Sequence, residues 1–95
     1  MEPFEALEQH YPEIIRRMDK RFNAHQFIRE LSRQYQGLYI RALMEYVDHD
    51  AAFMIVHGLL AKALHKFGNL VDKTGDEAST DIFGQSNTAS LWVKR

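Results

Sequence analysis

The chain is most regular over Asp50-Ala-Ala-Phe-Met-Ile-Val-His-Gly-Leu-Leu-Ala-Lys-Ala-Leu-His-Lys-Phe67, which is followed by Gly68. Its apolar residues recur at the three- and four-residue spacing of one helix face. This main stripe comprises Phe53, Val56, His57, Leu60, Ala63, Leu64 and Phe67. Ile55 and Leu59 lie outside the stripe, and a helix that is apolar on nearly all sides has to be covered on all sides. We therefore predict a largely buried third helix over about residues 50–67, ended by a left-handed Gly68.

Two further helices are predicted before this stretch. The first covers about residues 3–22, where an apolar stripe stays in phase across Pro12. Because proline lacks a backbone N–H and clashes with the preceding turn, we expect a kink there. The second covers about residues 24–47, since Asn23 is a good cap and Gln26 completes the pattern of a capping box.

The tail, residues 69–95, is polar and contains turn signals with short apolar pieces between them. We expect a hairpin of about residues 79–83 with 90–94, the alternative being an irregular segment laid over the helices. The tail is anchored by the apolar run Leu91, Trp92 and Val93. The predicted fold is mainly α: residues 1–95 form one domain, a three- to four-helix bundle with the tail packed on its third helix.

A second apolar face on the predicted second helix is formed by Ile40, Met44 and Val47, away from the face that carries Ala42 and Tyr46. Small chains with spare apolar faces commonly complete their core by pairing with a second copy. The three residues are therefore the predicted partner surface, for a second copy or for another protein. The high apolar content of these helices is also explained if the third helix is central and ringed by the other elements. A partner surface and a central third helix are compatible interpretations.

No catalytic motif is found in the sequence. The 95 residues contain no cysteine, which excludes disulfides, thiol nucleophiles and thiolate metal sites. The five histidines never stand three or four apart, the spacing that brings two ligands to one helix face. The glycines are too scattered for a phosphate-binding loop. We therefore predict a non-enzymatic protein with no catalytic residues, metal or cofactor.

The chain also lacks the signals of membrane insertion or export. The longest stretch without a formal charge runs from Ala51 to Ala61, whereas a membrane span needs about 20 residues. The N-terminus is acidic, unlike the start of a signal peptide. Together with the lack of cysteine, this predicts a soluble cytoplasmic protein that makes no membrane contact.

Positive charge is concentrated between residues 14 and 41, where seven basic residues oppose two acidic ones, although the whole chain has a net charge of −1. Arg16, Arg17, Lys20 and Arg21 share the outer face of the predicted first helix. One interpretation is a solvated helix face. The other is a basic face that contacts phosphates or an acidic partner.

Residues 24–95, as a helix, a tight turn, a helix and a hairpin, resemble a winged helix-turn-helix domain in outline. The resemblance implies a DNA-associated regulator whose recognition helix begins near Asp50. The first turns of that helix are acidic or apolar, however, where side chains that contact bases or phosphates are needed. We therefore predict a small interaction or assembly protein, homodimeric in its simplest form, with a DNA-associated regulator as the alternative.

Overall fold

A three-stranded sheet packs beside five helices in this fold. The structure, a computed structural model, describes residues 2–95. The elements in chain order are α1 (Pro3–Glu8), α2 (Tyr11–Arg17), β1 (Arg21–Asn23), α3 (Ala24–Gln34), α4 (Gln36–Met44), α5 (Ala52–Lys62), a 3-10 helix (Ala63–Phe67), β2 (Val71–Thr80) and β3 (Ser86–Lys94). The strands form one antiparallel sheet in the order β1-β3-β2. The fold is therefore α+β, and the prediction of a mainly α helical bundle is wrong.

The segment predicted as the first helix contains α1, α2 and β1. Pro12 lies in the first turn of α2, so the chain breaks before it instead of kinking through it. After α2, Met18 has an extended backbone (φ −74°, ψ 157°) and the chain enters β1. Phe22 pairs with Trp92 of β3 there. Its helical spacing from Met18 was misleading, because sheet pairing with a distant segment buries Phe22 instead.

The segment predicted as the second helix is divided into α3 and α4 by a bend at Tyr35 (φ −129°, ψ 57°). The capping box at its start is present: Asn23 and Gln26 each accept a bond from the other's backbone N–H, at 2.9 and 2.8 Å. The Tyr35 ring stacks on His10 with 3.8 Å between the ring centroids, and its hydroxyl donates to Glu13 at 2.6 Å. These contacts with the start of the chain hold the bend in place.

The segment predicted as the third helix forms α5 and the 3-10 helix, and it is not largely buried. Its buried side chains are Val56, Leu60, Ala63 and Leu64. Phe53, Met54 and Leu59 are exposed by 48, 68 and 39%. The prediction of a central helix fails because α5 packs chiefly against α3 and α4, and these neighbours leave Phe53, Met54 and Leu59 exposed. Gly68 is right-handed (φ −61°), so it does not end the segment as a left-handed residue.

The tail forms a hairpin that is longer than predicted. β2 and β3 pair from Val71 opposite Lys94 to Thr80 opposite Ser86. Gly84 adopts a positive φ of 82° in the connecting turn, where glycine carries no steric penalty. β3 is the central strand, and it also pairs with β1. The tail is therefore an integral layer of the fold rather than a lid added to a helical bundle.

The core lies between the helices and the sheet, and its largest fully buried side chains come from nearly every element. They are Tyr11, Phe27, Leu7, Ile14, Ile28, Leu31, Leu60, Leu64, Val56 and Val71. The Tyr11 hydroxyl donates to the backbone oxygen of Leu60 at 2.6 Å, which satisfies its one buried polar atom. Burial raises the pKa of Tyr11 far above its usual range, so this hydroxyl remains a donor.

The helices of the described residues are short. α3 and α5 have eleven residues each. No helix within residues 2–95 combines the length and the apolar character needed to cross a membrane.

Candidate functional site

One side of α4 is fixed against the rest of the molecule. Tyr39 and Ala42 are buried on its inner side. Tyr46, just beyond the helix, packs edge-on against Phe4 of α1 with 6.2 Å between the ring centroids. α4 also contacts α3 and α5. Because the inner side is held by these contacts, the outer side faces solvent.

The outer side of α4 carries all three residues of the predicted partner surface. Ile40, Met44 and Val47 are exposed by 54, 64 and 71%. Ile40 and Met44 stand four apart on one helix face. The Val47 N–H donates to the Met44 carbonyl oxygen at 3.3 Å, so a turn carries the apolar line beyond the helix end. We call these three residues the α4 surface.

Two opposite charges accompany the α4 surface. Arg41 and Glu45 are both exposed and stand four apart. Neither side chain forms a salt bridge with any other part of residues 2–95. Both charges are therefore available to a partner that lies across the α4 surface.

His57 is half-buried and lies against Tyr39. The Tyr39 hydroxyl lies 2.7 Å from His57 Nε2. Burial lowers the pKa of His57, against the opposing effect of the nearby Asp81 carboxylate. Burial also raises the pKa of Tyr39 to about 12. Both groups are therefore neutral at pH 7.

A cavity of about 400 Å³ opens between α3, α5 and the β2–β3 hairpin. Phe83 of the hairpin turn packs edge-on against Phe53 at 4.5 Å and lies parallel to His57 at 6.1 Å between centroids. His25 of α3 and Asp81 of the hairpin turn line the same cavity. Sequence reasoning missed this site, because the hairpin turn brings Asp81 and Phe83 to helices that are distant along the chain.

The four predicted basic residues are exposed but do not share one helix face. Arg16 and Arg17 belong to the last turn of α2, Lys20 to the connecting turn and Arg21 to β1. The predicted helix face is wrong because the helix ends before Lys20. Arg17 also lies 3.6 Å from the Glu13 carboxylate, so part of the charge is already paired.

The predicted tail anchor lies in the central strand. Trp92 is only 2% exposed, while Leu91 and Val93 are half-buried. The indole N–H of Trp92 donates to Ser90 Oγ at 2.8 Å, and the His65 ring contacts the indole edge-on at 4.9 Å. The anchor therefore belongs to the central strand of the sheet, and Trp92 is its core residue.

No three His, Cys, Asp or Glu side chains of residues 2–95 are grouped so that they could hold a metal ion. No protein-family model, curated protein or solved structure matches the chain. Two features of the chain itself are the best defined candidates for a functional site, the α4 surface and the cavity.

Proposed function

We propose that this chain is a non-enzymatic assembly module that pairs with a second copy of itself through the α4 surface. The observation that carries the proposal is the exposure of Ile40, Met44 and Val47, each by more than half. Contiguous apolar side chains that remain exposed in a monomer are typical of protein–protein contact sites. Covering them would remove the main apolar surface that α4 leaves in water.

The charges beside the α4 surface favour a second copy over an unrelated partner. When two α4 helices cross antiparallel near Met44, Ile40 of each copy comes opposite Val47 of the other. The same arrangement brings Arg41 of each copy opposite Glu45 of the other. A two-fold axis repeats both contacts, which is the reciprocity that an isologous interface requires. Opposite charges at its rim fix the register of such a pair.

The expected dimer is weak. α4 has nine residues and is therefore about 14 Å long. A standard interface buries about 800 Å² on each partner, and one short helix with a following turn supplies the low end of that range. We expect a Kd on the order of 10–100 µM.

Reciprocal charge exchange tests the proposal. Arg41→Glu places like charges opposite each other across the proposed two-fold, and Glu45→Arg does the same with the opposite sign. Each single variant is expected to weaken dimerisation at least about fivefold, and the double variant is expected to restore it. Sedimentation velocity across a concentration series measures the dimerisation of the two single variants and of the double variant. A double variant that is no better than either single variant would count against an α4-to-α4 pair.

A DNA-associated regulator is the second candidate. Two features favour it. The chain runs through helices, β1, further helices and a hairpin, and β3 lies between β1 and β2 in the sheet. This arrangement resembles a winged helix-turn-helix domain. The charges favour assembly instead. No basic residue occurs from Ala51 to Val56, at the start of α5, and the hairpin carries four acidic residues, Asp72, Asp76, Glu77 and Asp81.

Duplex DNA binding distinguishes the two candidates. Fluorescence anisotropy with a labelled duplex at roughly 50 mM salt should give no binding if the assembly proposal is right. Binding that is lost when Arg16, Arg17, Lys20 and Arg21 are reversed to Glu would favour the regulator instead. The pair Arg29→Glu and Arg33→Glu on α3 is compared with the pair Arg16→Glu and Arg17→Glu, because each pair reverses the same number of positive charges.

We propose a cytoplasmic location for this function. The sequence contains no cysteine, as suits a protein that has no need of an oxidising compartment. Cell fractionation of the tagged full chain tests this, and recovery in a membrane or exported fraction would contradict it.

A further inference from the structure

The cavity between α3, α5 and the hairpin lies apart from the α4 surface, and the proposed assembly does not use it. Its volume of about 400 Å³ falls within the range of sites that bind small molecules, roughly 300–1,000 Å³. Its lining combines an apolar wall with polar side chains, which can fix the orientation of a ligand.

Asp81 is the only carboxylate in the described lining, which contains no Lys or Arg. One carboxylate oxygen, Asp81 Oδ1, accepts from the backbone N–H groups of Phe83 and Gln85 at 2.9 and 3.0 Å. These bonds lower the pKa of Asp81, and the bond from Gln85 has the larger effect. Within residues 2–95 the second oxygen, Oδ2, has no hydrogen-bond partner. Asp81 therefore presents a fixed negative charge with a free acceptor.

The apolar wall consists of rings. Phe53, Phe83 and His57 lie within 4.5–6.2 Å of one another, measured between ring centroids. The negative face of an aromatic ring attracts a cation, and the attraction is stronger where water is partly excluded. The wall and the carboxylate consequently favour the same kind of ligand.

Gly58 lines the cavity from the middle of α5. Glycine in a helix interior is destabilising relative to alanine. A Cβ atom added at Gly58 would meet no atom within 4 Å, so the packing of the helix does not require glycine. Its missing side chain instead leaves the cavity open beside His57.

From these features we propose that the cavity binds a small organic cation with an aromatic or short apolar body. The cationic group pairs with the free oxygen of Asp81, and the body lies against Phe53 and Phe83. Neutral compounds of the same shape lack the ion pair and bind less tightly.

Benzamidinium and benzamide are suitable probes, because they share a shape and differ in charge. Titration of the ¹⁵N-labelled chain with benzamidinium, followed by NMR, is expected to shift the amide signals of Gly58, Phe83 and Gln85 with a low-millimolar Kd. Benzamide is expected to bind at least about tenfold more weakly. Equal affinity for both compounds, or no shift of these amides up to about 20 mM, would overturn the proposal.

Two substitutions localise the binding. Asp81→Asn keeps an oxygen that caps the hairpin turn but removes the charge, so we expect benzamidinium affinity to fall at least about tenfold. Gly58→Leu fills the cavity opening and is expected to abolish the shifts. Gly37→Leu is the matched control, since a Cβ at this exposed helical glycine also meets nothing within 4 Å and Gly37 does not line the cavity. Unchanged affinity in both cavity variants, with the amide spectrum of the folded chain retained, would contradict the proposal.

Discussion

The Tyr39 hydroxyl lies 2.7 Å from His57 Nε2, and this contact joins α4 to α5. Tyr39 lies on the inner side of α4, while His57 lines the cavity between α5 and the hairpin. The contact therefore joins the helix that carries the α4 surface to a residue that lines the cavity.

Removing the Tyr39 hydroxyl should destabilise the fold. Tyr39→Phe leaves His57 Nε2 without its partner, and we expect the free energy of unfolding to fall by about 1–2 kcal/mol. Urea denaturation followed by circular dichroism measures this change. Tyr46→Phe is the control, since no hydrogen bond from that hydroxyl occurs within residues 2–95, and its effect should stay below about 0.5 kcal/mol. Equal effects of the two substitutions would contradict the assigned role of the contact.

His57 should make stability depend on pH in a defined direction. Burial holds its folded-state pKa below the ordinary value, so below about pH 6.5 the unfolded chain binds a proton that the folded chain resists. The contribution of His57 to the free energy of unfolding is fully present above about pH 6.5. It is lost as the pH falls from there through the lower folded-state pKa. Urea denaturation of His57→Gln between about pH 7 and pH 5 should show a smaller loss than the unsubstituted chain. Identical pH profiles would exclude this effect.

Trp92 should report its burial directly. Its fluorescence emission is expected to be blue-shifted, and Trp92→Ala should cost about 3–5 kcal/mol because it empties a large part of the core. Trp92→Phe keeps an aromatic ring and should cost less. Emission like that of tryptophan in water would contradict the placement of Trp92 at the centre of the sheet.

Asn23 should matter for two separate reasons. Its side-chain oxygen caps α3, and its amide donates to Glu77 at 2.7 Å and to Ser79 at 3.2 Å on β2. Asn23→Ala removes both sets of contacts and should cost about 2 kcal/mol in thermal or urea denaturation. Asn23→Ser retains a capping oxygen and should recover about half of that loss. No difference between the two variants would show that the cap contributes nothing measurable.

Local signals in the sequence could be predicted, whereas pairings between distant segments could not. The capping box of Asn23 and Gln26 involves residues three apart, and its pattern is visible in the sequence. Phe22 has the spacing of a helical residue, and only its distant partner Trp92 makes it part of a strand. Strand formation in the tail depends in the same way on the central position of β3.

For the same reason, the α4 surface could be predicted from the sequence and the cavity could not. The spacing of Ile40, Met44 and Val47 predicts a shared helix face, and the structure places all three in solvent. The cavity needs Asp81 and Phe83 to be carried by a hairpin onto α3 and α5, which no local spacing indicates.

Self-association through the α4 surface predicts a molar mass that rises with the concentration of the chain. Sedimentation equilibrium from about 5 µM to 1 mM should show the mass rising from 11.1 kDa toward twice that value. Met44→Glu should remain monomeric throughout, while Met54→Glu, which places the same charge on the exposed side of α5, should dimerise like the unsubstituted chain. A strictly monomeric unsubstituted chain, or a dimer that Met44→Glu leaves unchanged, would contradict the claim.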